Sequence, residues 1–234
     1  MESINDNEIM VSICCITYNH EKYIKYALDS FLMQETDFKY EIIIHDDAST
    51  DNTPNIIKEY EDKYPEIIKP IYRKENQYSK GRKVIPFTFE VAKGKYIAIC
   101  EGDDYWTDKN KLQIQVEYFE SHKNCTLCFH SYDLVDVNNK IINNYNRYNC
   151  DCVSPMEDMI IGGKGYWGGG FCITPSLMFP RQIVNNLPNY YYNCSVGDYP
   201  LQLYCASKGY AYYISKSMCA YRTNIEGSWT TTLM

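Results

Sequence analysis

Three acidic side chains lie within four residues at the end of a short apolar run. The run Tyr96–Cys100 has the length and composition of a buried β-strand, and Glu101-Gly102-Asp103-Asp104 follows it directly. Carboxylate oxygens that converge at the exposed end of a strand can bind a hard divalent cation such as Mg²⁺ or Mn²⁺. A solvated acidic turn without a ligand is the alternative, and this segment alone favours neither interpretation.

Two earlier apolar runs also end in polar residues. The run Met10–Ile16 is followed by Thr17, Tyr18 and Asn19, and the run Tyr40–His45 is followed by Asp46 and Asp47. In a parallel sheet the carboxyl ends of the strands lie along the same edge, where open α/β sheets bind their ligands. We therefore expect these two loops and the acidic turn to form one site.

The elements that position these loops alternate between strand and helix. Helical spacing of apolar residues predicts a helix over Glu21–Met33, Thr53-Pro54 is a strong helix start, Ile67–Tyr72 is a third strand, and a helix is expected over Gly81–Ala92. This alternation predicts an α/β fold with a mostly parallel sheet that is flanked by helices on both faces.

The second half of the chain has a less regular pattern. We expect a helix over 108–121, a strand over 125–137, a polar loop or hairpin over 138–152, a short strand over 174–179, a helix over 198–208 and two short strands over 210–214 and 218–221. The loop Gly163–Gly168 matches G-x-G-x-x-G, but no convincing strand precedes it, so it is not a dinucleotide fingerprint.

Composition excludes several classes of protein. The chain has 234 residues, 45% hydrophobic and 23% charged, which is typical of a globular protein. A net charge of −7 argues against a nucleic-acid partner. No apolar run is long enough for a membrane span, no signal peptide is visible, and the 11 cysteines are an odd number, so we expect a cytoplasmic protein.

Taken together, the motifs resemble those of the family 2 glycosyltransferases, which have the GT-A fold. The strand and turn at Val11–Asn19, the segment Ile42–Asp51 with its D-D-x-S-T-D pattern, and the strand Tyr96–Trp106 with its E-G-D-D-Y-W ending follow each other in the family's order. Val196–Leu201 (V-G-D-Y-P-L) is similar to a G-D-W-P-L segment of one bacterial subgroup. Tyr221–Ser228 resembles that subgroup's Y-R-x-H-x-G-G-x-S segment, with Asn224 at the His position and Glu226 at a Gly position.

The resemblance implies a role for each motif residue. Asp103 and Glu101 would bind the metal, Mn²⁺ or Mg²⁺, and Asp104 would replace Glu101 as the partner of Asp103 or cap the next helix. The donor would contact Thr17, Tyr18, Asn19, Asp46, Asp47, Arg73, Asp103 and Asp104, and the acceptor would contact Trp106, Trp167 and Arg222. Asp198 is the expected catalytic base, although an Asp two residues before a Pro is also an ordinary helix N-cap.

The predicted function is that of a metal-dependent inverting glycosyltransferase. It would be a single GT-A domain over 1–234, with a nucleotide-sugar half at 1–106 and an acceptor and base half at 107–234. The donor would be a UDP- or dTDP-sugar, and the acceptor a saccharide or lipid-linked saccharide of surface polysaccharide synthesis. Peripheral association with the inner face of the membrane is compatible with such an acceptor. The alternative is a non-catalytic GT-A-like module that binds a nucleotide sugar.

Overall fold

The structure is a computed structural model and describes residues 8–162 and 171–225. These residues form one ten-stranded sheet flanked by helices. The strands are β1 (Ile9–Thr17), β2 (Lys39–Asp46), β3 (Ile68–Tyr72), β4 (Tyr96–Ile99), β5 (Tyr105–Trp106), β6 (Cys125–Val135), β7 (Ile141–Tyr145), β8 (Cys152–Ser154), β9 (Met178–Pro180) and β10 (Tyr210–Arg222). The α-helices are α1 (Ile24–Leu32), α2 (Thr53–Lys63), α3 (Pro86–Phe89), α4 (Lys111–Ser121), α5 (Met156–Ile161), α6 (Asn189–Asn193) and α7 (Asp198–Ala206).

The main path of the sheet runs β3-β2-β1-β4-β9-β6-β10-β5, with β7 beside β6 and β8 beside β10. Strands β1 to β4 are parallel to one another, and β9 is antiparallel to both β4 and β6. Strand β6 therefore runs in the same direction as β4, and β10 is parallel to β6. As a result, the ends of β1, β2, β4, β6 and β10 all point to one edge of the sheet.

Burial on both faces explains why β1, β2 and β4 are continuous apolar runs. One face packs against α1 and α4 through a cluster that includes Leu28, Phe31 and Phe119. The other face packs against α3 and α7 through a second cluster that includes Phe89 and Leu201. The expected mostly parallel sheet with helices on both faces is confirmed.

Two elements differ clearly from the sequence expectation. Within the predicted helix Gly81–Ala92, only the four-residue α3 forms, and a 3₁₀ turn at Tyr78–Lys80 precedes that range. The reason is that Gly81 has a left-handed conformation and Pro86 starts a new helix. The two predicted C-terminal strands are one strand, β10, whose register shifts between Ile214 and Ser217. The hairpin alternative for the segment 138–152 is confirmed, because β7 pairs antiparallel with β6.

Lys111, the first residue of α4, is fully buried beneath the sheet. Its Nζ donates to Oε1 of Gln115 at 2.7 Å and lies 4.2 Å from the ring centroid of Trp106. Burial lowers its pKa to about 8. The unfolded chain, with an ordinary lysine pKa near 10.4, therefore binds more protons than the folded protein between these two values.

The stability of the protein is expected to depend on Lys111 at alkaline pH. As the pH rises, Lys111 loses its proton in the folded protein at a lower pH than in the unfolded chain. The free energy of unfolding of the wild type should therefore rise relative to that of Lys111→Met by about 2 kcal/mol between pH 7.5 and 9.5. Urea denaturation at several pH values measures this difference. The matched control is Lys109→Met, since Lys109 is an exposed lysine paired with Glu35. A difference that stays constant with pH would contradict the assignment.

Candidate active site

The register of the sheet places the ends of β1, β2, β3 and β4 side by side. Thr17 is opposite Asp46 in the β1–β2 pair, and Asp46 is opposite Tyr72 in the β2–β3 pair. Beyond β4, the Gly102 N–H donates to the Ile16 carbonyl at 2.9 Å, so the acidic turn continues alongside β1. The three loops that sequence analysis singled out are therefore neighbours at one edge.

The side chains of Glu101, Asp103 and Asp104 converge in this turn. Each offers an oxygen, and these oxygens all lie within 4.8 Å of one another. Asp104 is 1% exposed, and its Oδ1 accepts the Arg222 N–H at 2.7 Å, whereas its Oδ2 is buried with no hydrogen-bond partner. Burial, and then the charge of Asp103, raises the pKa of both Glu101 and Asp104 well above the usual range.

These oxygens fit a divalent cation. A buried carboxylate oxygen without a partner is costly, and neighbouring carboxylates repel one another. A hard cation with oxygen ligands removes both penalties at once. Within the described residues, this is the one group of three or more His, Cys, Asp or Glu side chains that lie close enough to share an ion.

Gly102 allows the turn to lie against β1. A Cβ at this position would lie 2.7 Å from Oγ1 and 2.8 Å from Cβ of Thr17, closer than real Cβ contacts. The Thr17 Oγ1 is itself buried without a hydrogen-bond partner. On the same side, Nε2 of His20 lies 3.8 Å from Oδ2 of Asp103.

Gly102→Ala is expected to push the acidic turn away from β1. The added methyl group should lower the free energy of unfolding by about 1–3 kcal/mol and weaken binding of Mn²⁺. Chemical denaturation and Mn²⁺ titration measure the two effects. Gly197→Ala is the control, because its new Cβ would meet Oη of Tyr191 at 3.5 Å, an ordinary contact. Equal behaviour of the two variants would show that the close approach is unimportant.

The two aspartates after β2 have different environments. Both oxygens of Asp47 are engaged, because they accept the N–H groups of Gln77 and Tyr78 at 2.8 and 2.9 Å. Asp47 therefore organises the loop after β3. Asp46 receives only a weak hydrogen bond from Ser49 at 3.3 Å, and its buried Oδ1 has no partner. Burial raises the pKa of Asp46, and its unpaired oxygen leaves it the better candidate of the two for ligand contact.

Arg73 follows β3 and is fixed beside Asp46. Its N–H donates to the Asp46 carbonyl at 3.0 Å, and its guanidinium lies 4.2 Å from the ring centroid of Phe87. The buried His45 ring stacks on the same Phe87 at 5.3 Å. Nε of Arg73 is buried without a hydrogen-bond partner, which leaves a donor for an anionic or carbonyl ligand.

Asn19 joins the first two loops, while Tyr18 lies at their rim. Asn19 adopts a left-handed conformation (φ 56°), and its side-chain oxygen accepts the Thr50 N–H at 2.8 Å. Its own N–H donates to Oγ of Ser49 at 2.9 Å. Tyr18 is 44% exposed. Asn19 therefore shapes the loop, whereas the Tyr18 ring is accessible to a ligand.

Asp198 is the first residue of α7, and Gly197 occupies the N-cap position. The N-cap alternative for Asp198 is therefore wrong. Its carboxylate is close enough to the acidic turn for its charge to raise the pKa of Glu101. Burial raises the pKa of Asp198 itself, and the positive charge of Lys83 opposes that rise.

Two predicted acceptor residues are buried, and a third lies outside the described residues. Trp106 is 1% exposed, packs on Phe31 at 4.9 Å and donates its indole N–H to the Pro175 carbonyl at 3.0 Å, so the prediction of a sugar contact is wrong. Arg222 is 3% exposed and hydrogen-bonded to the acidic turn, and its Nη2 is buried without a hydrogen-bond partner, so its acceptor contact stays a prediction. Trp167 and Glu226 lie outside the described residues.

Sequence reasoning missed three residues of this edge. Lys83, His20 and Phe87 stand near Asp198, Asp103 and Arg73, respectively. Each lies in a turn or at a helix start, where no periodic pattern marks an inward-facing side chain. Of the three, His20 was the easiest to recognise as a site residue, because it directly follows the loop residues Thr17 to Asn19.

The fold is that of the GT-A glycosyltransferases. TarS 1–349 from S. aureus, solved in complex with UDP-GlcNAc, matches with a TM-score of 0.70 at 19% identity over 96% of this chain and 61% of that one. The mannosyltransferase PcManGT from Pyrobaculum calidifontis, solved with GDP-Man and Mn²⁺, matches with a TM-score of 0.64 at 16% identity over 98% of this chain and 61% of that one.

The family follows from the sequence match. The family model described as Glycosyl transferase family 2 matches residues 12–187, so the chain belongs to that family. Its relatives include the E. coli protein named UDP-Glc:alpha-D-GlcNAc-diphosphoundecaprenol beta-1,3-glucosyltransferase WfaP, which is 37% identical over 115 residues, 49% of this chain and 43% of WfaP. The alignments with three mycobacterial proteins, each 49% identical over 122 residues, span 51% of this chain and only 34% of those proteins' length. In the described parts of the chain, none of the helices has the length and apolar character that a membrane crossing requires.

Proposed function

We propose that this chain is a metal-dependent, inverting glycosyltransferase that uses a nucleoside-diphosphate sugar as donor. The observation that carries this proposal is the group of unpaired polar atoms at one edge of the sheet. Asp104 Oδ2, Thr17 Oγ1 and Asp46 Oδ1 are buried without partners, beside two further carboxylates. A ligand that brings a cation, a diphosphate and a polar base would satisfy all of them.

The nucleoside end of the donor would lie over β1, β2 and β3. Asp46 Oδ1 can accept an N–H from a uracil or thymine base, and Thr17 Oγ1 can donate to or accept from the base or ribose. The Arg73 guanidinium is held at the same edge by Phe87 and can bind an oxygen of the nucleotide. TarS binds UDP-GlcNAc, which supports a uridine donor.

The diphosphate end would lie at the acidic turn. Asp103, with Glu101 or Asp104, would hold Mn²⁺ or Mg²⁺. When bound, such a cation neutralises the charge that develops on the departing nucleoside diphosphate. The Mn²⁺ in the structure of PcManGT supports a divalent cation in this chain. His20, close to Asp103, would help to orient that carboxylate.

Asp198 would act as the general base on the acceptor hydroxyl. Its negative charge raises the pKa of Glu101. The base and the leaving group would therefore lie at the same edge of the sheet. Direct attack by the activated hydroxyl inverts the anomeric carbon and needs no covalent intermediate. Lys83 would keep Asp198 ionised, because a nearby positive charge favours the carboxylate over the acid.

The acceptor is proposed to be a saccharide or a lipid-linked saccharide of surface polysaccharide synthesis. The name of WfaP specifies a diphosphoundecaprenol-linked acceptor, and this supports the lipid-linked form. Residues 1–106 would form the donor half and residues 107–234 the acceptor half. A cytoplasmic enzyme at the inner face of the membrane would meet such an acceptor.

Donor and metal binding can be tested together. A ligand that binds the folded state raises the melting temperature, so UDP-sugars with Mn²⁺ should stabilise the wild type more than either component alone. Asp103→Asn removes a carboxylate from the cluster and should abolish both this synergy and sugar transfer. Differential scanning fluorimetry and a transfer assay measure the two effects. Asp62→Asn, in an exposed ion pair on α2, is the control and should behave like the wild type.

Asp198→Asn should separate binding from turnover. The variant is expected to retain donor binding but to lose transfer by about 10²–10⁴-fold, the usual contribution of a general base.

Because burial raises the pKa of Asp198, wild-type turnover should fall on acidification at a higher pH than for an exposed aspartate. Lys83→Met should move this decline to still higher pH.

Two outcomes would overturn the assignments. Normal turnover in Asp198→Asn would remove it as the base. Donor binding by the wild type without transfer to any saccharide or lipid-linked acceptor, and without donor hydrolysis, would identify a non-catalytic nucleotide-sugar-binding module instead.

A further inference from the structure

Arg222, at the end of β10, makes three hydrogen bonds to the chain around the acidic turn. Its Nε donates to the Asp103 carbonyl at 2.8 Å, and its main-chain N–H donates to Oδ1 of Asp104 at 2.7 Å. Its Nη1 donates to the carbonyl of Asp136, just beyond β6, at 3.1 Å. One residue therefore connects β10, the acidic turn and the end of β6.

Aromatic rings fix the guanidinium of Arg222 in place. The guanidinium lies 4.7 Å from the ring centroid of Tyr23, 5.7 Å from that of Tyr26 and 5.5 Å from that of Tyr105. Tyr26 and Tyr105 also contact each other, with their centroids 6.0 Å apart. Cation–π attraction is stronger where the charge is removed from water, and Arg222 is 3% exposed. The side chain has little freedom to adopt another geometry.

The contacts of Arg222 constrain the acidic turn at two successive residues. The Asp103 carbonyl is held by the side chain, and one Asp104 oxygen is held by the main chain, which leaves Asp104 Oδ2 as the unpaired oxygen. Without these bonds, the three acidic side chains would be free to move apart. The guanidinium of Arg222 also places a positive charge close to the turn, which favours the ionised form of Asp104.

We propose that Arg222 is a positioning residue for the metal site, and that it holds the Asp103–Asp104 turn in the geometry that binds the cation. This inference rests on the proposed metal-dependent function. It assigns to Arg222 a role that acts through the carboxylates and involves no contact with the sugar. Loss of partners that orient metal ligands commonly lowers metal affinity by about 10–100-fold.

The test uses Mn²⁺ alone, without nucleotide, so that it does not depend on sugar transfer. Electron paramagnetic resonance of free Mn²⁺ gives the dissociation constant for the wild type, Arg222→Met and Arg222→Lys. Arg222→Met keeps the apolar stem and the main-chain N–H but loses the guanidinium. We expect its dissociation constant to rise about 10–100-fold, and that of Arg222→Lys, which restores the charge without the planar fork, to rise less.

Arg181→Met is the matched control. Arg181 Nε donates to the Gly94 carbonyl at 2.7 Å, a bond of the same kind at the opposite end of β4. If both arginines were only structural, both variants would lose thermal stability and neither would lose affinity for Mn²⁺. The proposal expects reduced affinity in the Arg222 variants only, measured at a temperature at which circular dichroism shows all proteins to be folded.

Each outcome has a distinct meaning. A folded Arg222→Met that binds Mn²⁺ as tightly as the wild type overturns the proposal. If Arg222→Met does not fold, Arg222→Lys provides the test, and an unchanged affinity of that variant for Mn²⁺ overturns the proposal. If the wild type binds no Mn²⁺ at all, both the metal site and the role of Arg222 are wrong. If Mn²⁺ binds as expected but no sugar is transferred, the role of Arg222 stands and the enzymatic proposal fails.

Discussion

Three carboxylates of like charge held within 4.8 Å of one another at the end of β4 are the constraint on which this edge of the protein depends. Such a group is unfavourable by itself, because burial and mutual repulsion both oppose ionisation. The surrounding structure keeps it together by several means. Gly102 brings the turn against β1, and Arg222 donates to it from the end of β10. The pKa of Glu101 and that of Asp104 are raised well above the usual range, because burial and then the charge of Asp103 oppose their ionisation.

The parallel sheet determines how the loops after β1 and β2 meet this acidic group. Pairing of β1 with both β2 and β4 makes the Thr17, Asp46 and Glu101 loops neighbours whatever their separation in sequence. This part could be predicted, because apolar runs of strand length ended abruptly in polar residues three times. The parallel arrangement follows from the alternation of strands with helices, and the convergence of the loops follows from the parallel arrangement.

Other parts of the site could not be predicted from the sequence. The two aspartates after β2 are adjacent and chemically identical, yet Asp47 is engaged with the N–H groups of Gln77 and Tyr78, and a tertiary contact of this kind leaves no periodic signal. Trp106 directly follows the acidic turn, but it belongs to β5, which turns its ring into the core. Arg222 was recognised as part of a motif, but its burial depends on three tyrosines far from it in the chain.

The pairing of Asp104 with Arg222 also has a consequence for the order in which the protein assembles. The two residues are separated by 118 positions, and β9, which completes the pairing of β4, is formed by residues 178–180. During synthesis, β1 to β4 can pair long before these later segments leave the ribosome. Contacts of such long sequence separation form late, since a large loop must close before they are made. The nascent chain would therefore display the loops after β1 and β2 early, whereas the acidic turn would reach its final geometry only when β10 has joined the sheet.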